Sequence, residues 1–118
     1  MNIEMPRGDI KNVSFAVNNP DGSESSILFD DIFFTVKKYH TDKNPIFQKR
    51  LSDGSIFKRT DGKYGFRIES DDTDNLHIGT YEFDIEVVRN PDIKQTTTGN
   101  LVLTKEITWA SNEVISNG

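Results

Sequence analysis

The sequence predicts an all-β fold, a two-sheet antiparallel sandwich of about seven to eight strands. Three observations carry this. Apolar and polar residues alternate with period two in several short runs. Turn residues recur about every ten positions, as they do in sandwiches and barrels. No stretch keeps a convincing helical period.

The elements follow in order. Val13, Phe15 and Val17 alternate in the first strand. Ile32, Phe34 and Val36 make the second, with Phe33 on its opposite side. Ile46-Phe47 opens a third after Pro45, and Ile56-Phe57 is a very short fourth between Asp53-Gly54 and Asp61-Gly62. Tyr64, Phe66 and Ile68 form the fifth stripe. Tyr81, Phe83, Ile85 and Val87 alternate with Glu82, Asp84 and Glu86 in the clearest strand of the chain, whose carboxylates read as its solvated face. Leu101, Leu103 and Ile107 close the series.

Asp-Gly pairs begin at Asp21, Asp53 and Asp61 and suit type I′ hairpin turns, because both residues tolerate positive φ. Asn90-Pro91-Asp92 adds a further turn signal. Asp71 to Leu76 predicts a single helical turn, since Asp and Thr favour caps. The stretch Ile93 to Thr108 would reach roughly 53 Å as one straight strand, so a bend or bulge is expected at Gly99. Residues 1–110 form a single domain on this reading. Residues 111–118, polar and unpatterned, form a flexible tail, and Met1 to Pro6 a second terminal arm.

Leu76, Gly79 and Tyr81 resemble the tyrosine corner of immunoglobulin-like sandwiches, in which a Tyr opening strand F turns its hydroxyl onto backbone a few residues upstream. That resemblance makes the architecture immunoglobulin-like, with residues 64–68 as strand E and 81–87 as strand F. The two belong to opposite sheets. Tyr64, Phe66 and Ile68 should then face Phe83, Ile85 and Val87 across a core roughly 10 Å thick. The match is to the architecture: immunoglobulin domains tend to carry an acidic residue where His77 stands and Cys where Phe83 stands. Fibronectin type III domains place their leucine one residue further upstream than Leu76.

The composition limits function more than it specifies it. With 118 residues the chain is one domain in length, and although 34% of residues are hydrophobic, eight Phe can fill a thin core. Fourteen basic against 19 acidic residues, dispersed and netting −5, disfavour a nucleic-acid groove or an anionic membrane surface. Cysteine is absent, which removes disulfides and thiolate metal sites and leans towards a reducing compartment. The N-terminus lacks an apolar signal core, and no run approaches the roughly 20 apolar residues of a membrane-spanning helix. A soluble protein made in the cytoplasm is expected.

Each candidate site has a plainer structural reading. Arg7-Gly8-Asp9 matches an integrin-binding tripeptide, but Gly8 also suits a bend into the first strand, with Asp9 satisfying local backbone donors. Asp71, Asp72 and Asp74 form a weak calcium candidate; the segment lacks the Gly and Glu of a calcium loop, and a cap explains it more simply. His40 and His77 are too far apart in sequence for a recognisable zinc motif. The nucleophile-elbow, dinucleotide and phosphate-loop motifs are missing, so no catalytic residues, cofactor or enzymatic activity are expected. Asn12-Val13-Ser14 matches a glycan acceptor that would go unused without secretion. Trp109 suits a plug at one end of the sandwich better than a carbohydrate platform.

Four features in order carry a family resemblance: Arg7-Gly8-Asp9; Phe34-Thr35-Val36-Lys37-Lys38; Asp72-Thr73 leading to Leu76, Gly79, Tyr81, Phe83, Asp84 and Ile85; and Thr96-Thr97-Thr98-Gly99 with Leu101, Leu103 and Glu106-Ile107-Thr108. Over about residues 3–110 the chain resembles small β-sandwich structural proteins of tailed phages and prophages. It is similar in outline to the N-terminal domain of phage baseplate upper proteins. The resemblance implies a non-enzymatic virion, baseplate or tail-associated protein, present in the bacterial cytoplasm during assembly and then in the particle. Its partners would be other phage structural proteins or copies of itself, with neither nucleic acid nor membrane. The alternative is a carbohydrate-binding or host-surface attachment module, drawing on Phe33, Tyr39, Phe47 and Trp109.

Overall fold

A computed structural model of the chain describes residues 1–18, 29–89 and 93–106. Strands β1 (Ile3–Pro6), β2 (Lys11–Phe15), β3 (Asp31–Lys37), β4 (Phe47–Arg50), β5 (Ile56–Lys58), β6 (Tyr64–Ile68), β7 (Gly79–Arg89) and β8 (Ile93–Thr104) surround one helical turn, α1 (Ser70–Thr73). They form two sheets, of order β1-β8-β7-β3-β4 and β2-β6-β5. The neighbours β8-β7-β3 reproduce the G-F-C order of an immunoglobulin-like sandwich, β4 extends that sheet as C′ does, and β2-β6-β5 reproduce B-E-D. The predicted fold class is the observed one.

Period-2 patterning drives this arrangement. In β3, Ile32, Phe34 and Val36 are fully buried while Asp31, Phe33, Thr35 and Lys37 face outward. The stripes Tyr64/Phe66/Ile68 on β6 and Tyr81/Phe83/Ile85/Val87 on β7 are buried in opposite sheets. Phe34 joins them, its ring stacked 4.2 Å from Phe66 and tilted 5.2 Å from Phe83. Ring pairs at such separations add roughly 0.5–1.5 kcal/mol beyond area burial. The tyrosine corner is formed as well: the Tyr81 hydroxyl donates to the His77 carbonyl at 2.7 Å.

Four expectations are corrected. First, Met1 to Pro6 is no free arm. Ile3–Pro6 pairs in parallel with Leu101–Thr104 and buries Ile3 and Met5. Second, β8 is one unbroken strand, in continuous register with β7 from Gly79↔Leu103 to Arg89↔Ile93, without a bend at Gly99. Gly99 is required for space: a Cβ there would lie 1.9 Å from the Met1 carbonyl oxygen and 2.6 Å from the Phe83 ring.

Third, neither described Asp-Gly pair closes a two-residue hairpin. Gly54 lies in the segment 51–55 that crosses from one sheet to the other, and Gly62 lies in the β5–β6 loop 59–63. Both glycines take positive φ, and Asp53 and Asp61 each accept the N–H two residues on. Fourth, Asp9 serves its turn through its own N–H, donated to the Pro6 carbonyl. Asp21-Gly22, Asn90-Pro91-Asp92, Ile107, Trp109 and the tail 111–118 lie outside the described residues.

Candidate functional site

The corner that carries most of the sequence motifs proves to be a structural joint. Asp72 caps the start of α1, its Oδ2 accepting the Glu69 N–H at 2.7 Å, and the Asp72 N–H closes the turn onto the Glu69 carbonyl. Asp72 Oδ2 also accepts from Lys49 Nζ at 2.6 Å, a largely buried ion pair that ties β4 to α1. Asp71 and Asp74 are exposed, and among the described residues no group of His, Asp or Glu side chains is arranged to hold a metal ion. The Arg7 guanidinium is engaged by the Leu76 carbonyl and by Glu106 at 3.0 Å. Gly8, at φ +82°, donates its N–H to the buried Thr73 hydroxyl. Arg7-Gly8-Asp9 therefore locks the N-terminal strand to the corner before β7. Its Arg is engaged within the chain, by Leu76 and Glu106.

The outer face of the five-stranded sheet carries the chemistry that remains. Register places Glu82 between Lys37 and Asn100, Asp84 between Thr35 and Thr98, and Glu86 between Phe33 and Thr96. The β3–β4 connection folds over this face, and the resulting groove of about 410 Å³ is lined by Thr35, Lys37, His40, Glu82, Asp84, Thr98 and Asn100, among others. His40 Nδ1 lies 3.0 Å from Glu82 Oε2. The His40 backbone N–H, together with its ring, holds the Glu82 carboxyl below the usual carboxylate range. Asp84 is pushed the other way: burial raises its pKa, the like charge of Glu86 adds to this, and Lys37 opposes it.

Of the aromatics invoked for a carbohydrate platform, the three that are described, Phe33, Tyr39 and Phe47, do not align. Phe33 lies outward under the Arg50 guanidinium at 4.6 Å, Phe47 packs inward against Phe34 at 6.1 Å, and Tyr39 is 60% exposed with the Lys38 ammonium over its ring.

The second feature is an edge. β8 is 12 residues long, but β1 covers only Leu101–Thr104. Among the described residues no strand pairs with the outer side of Lys94–Thr98, and all five side chains are exposed. The edges at β4, β5 and β1 are protected in familiar ways. β4 and β5 are four and three residues long. β4 also turns the charged Lys49 inward, in register with Phe34, and β1 ends on Pro6, which has no N–H. Lys94–Thr98 has no proline and no inward-facing charge. Beside it, Phe15, Val17, Ile85, Val87, Gln95 and Thr97 line an inner-face groove of about 340 Å³.

The alternation of Leu101 and Leu103 announced a strand. That half of it would lie beyond its neighbour could be learned only from the β1 register. No helix among the described residues is long and apolar enough to cross a membrane. The chain matches no known family model and no curated protein.

Proposed function

We propose that this chain is a non-enzymatic structural component of a phage or prophage particle, acting through protein–protein contacts with other virion proteins. The observation that supports the contact mode is the open β8 edge at Lys94–Thr98, where backbone donors and acceptors stand ready to accept a further strand. The identity of the assembly rests on the family resemblance in the sequence. On this reading the molecule is present in the bacterial cytoplasm during assembly and then in a virion or tail-like particle. Mass spectrometry of purified induced particles should find it in stoichiometric amount, and its absence there would remove the virion role.

A second reading, attachment to a surface glycan, draws on the polar outer groove with its hydroxyl, amide and carboxylate groups at Thr35, Thr98, Asn100 and Asp84. A glycan array with the intact chain decides it. Binding lost on Asp84→Ala would favour this reading, and an array without hits would end it.

A further inference from the structure

We infer that the partner for the open β8 edge is a second copy of this chain, paired antiparallel across a two-fold axis at Thr96. The inference rests on the reading of β8 as the contact edge, and it names the occupant.

Backbone direction sets the register. The Arg7 N–H donates to the Thr104 carbonyl at 3.0 Å, and the Asn100 N–H to Asn2 Oδ1 at 3.0 Å, so even-numbered residues of β8 point away from β7. Pairing with β7 continues without a bulge through Lys94, which carries the same alternation along the free segment. Lys94, Thr96 and Thr98 therefore present their N–H and C=O groups outward, while Gln95 and Thr97 use theirs on β7.

Antiparallel self-pairing must match outward residues with outward residues. Centring on Thr96 sets Thr96 against Thr96, Lys94 against Thr98 and Gln95 against Thr97, and forms about six backbone hydrogen bonds. Centring on Thr97 would bring Lys94 against Asn100, whose N–H is already taken by Asn2. About four bonds would then remain.

Side chains fit the Thr96 register. No like charges meet, and the Thr–Thr pair at the axis is a favourable cross-strand pair. Thr98 stands beside Asp84 on the outer face. The partner's Lys94, opposite Thr98, thus brings an ammonium towards the acidic row Glu82, Asp84 and Glu86. The two five-stranded sheets would become one continuous sheet, closed by symmetry rather than open to further addition.

The natural absence of cysteine gives a clean test. Purified wild-type chain should sediment at twice the chain mass, with a concentration-dependent return to monomer. Thr96→Cys should form an interchain disulfide under mild oxidation. Thr97→Cys should not, because its two copies would sit about 8 Å apart, beyond disulfide reach. Thr96→Lys should be monomeric yet, at concentrations low enough that wild type is also monomeric, melt no lower than wild type, since it sets like charges at the axis but faces Glu86 within its own chain.

A wild type that stays monomeric at hundreds of micromolar overturns self-pairing, as does equal crosslinking of the two cysteine variants. Incorporation into induced particles separates this from the broader reading. If wild type is monomeric and Thr96→Lys is lost from particles, β8 serves another protein. If wild type is monomeric and Thr96→Lys is incorporated normally, self-pairing and the reading of β8 as the contact edge both fall, while the virion role stands.

Discussion

Asp31 illustrates how a single side chain can make stability depend on pH. Burial alone would raise its pKa, but hydrogen bonds from Arg50, Ser52 and the Ile32 N–H outweigh that and hold it below the usual range. A depressed carboxylate stabilises the fold above its unfolded pKa and loses that contribution as pH falls through the folded value. Asp31→Asn should therefore lower stability by about 1–2 kcal/mol at pH 7, with the difference from wild type shrinking as pH falls below the ordinary aspartate value of 3.8. Urea titrations at a series of pH values would show it. Asp84 has the opposite sign. Its raised pKa makes ionisation costly in the folded state, so Asp84→Asn should raise the melting temperature at pH 7, and the gain should vanish once pH falls below the unfolded value. Tyr81→Phe removes the hydroxyl that satisfies the His77 carbonyl and should cost about 1–2 kcal/mol in a denaturant melt.

Among the elements, β1 and β8 depart most from their expected forms, for related reasons. Ile3 and Met5 are separated by one residue, which is the shortest possible alternation and is easily lost beside a proline and a terminus. Their burial depends on a parallel partner nearly 100 residues away, a pairing that local pattern does not encode. Deleting Met1 to Pro6 should thus destabilise the domain by roughly 3–6 kcal/mol, the worth of burying two such side chains, as read by thermal melting. The same contact explains Gly99: Met1 and the Phe83 ring leave no space for a Cβ. Gly99→Val should displace the N-terminal residues and lower stability, with hydrogen exchange rising first along Ile3–Pro6.

At the scale of the molecule, one aromatic bridge connects the sheets. Phe34→Ala should cost about 3–5 kcal/mol, because the ring lies between Phe66 and Phe83 at full burial. Phe83→Asp should abolish the cooperative melt altogether. The sequence by itself determined the all-β class, seven of the eight strands, the facing stripes and the tyrosine corner. These depend on side-chain alternation and short-range spacing, which the chain carries locally. Tertiary structure decided the rest: that the N-terminal segment is core, that Arg7 and Asp72 are consumed by the corner joint, and that no described strand covers the outer side of Lys94–Thr98. Each of these depends on which distant backbone arrives alongside. A strand's pattern says which face it buries but not how far its neighbour reaches.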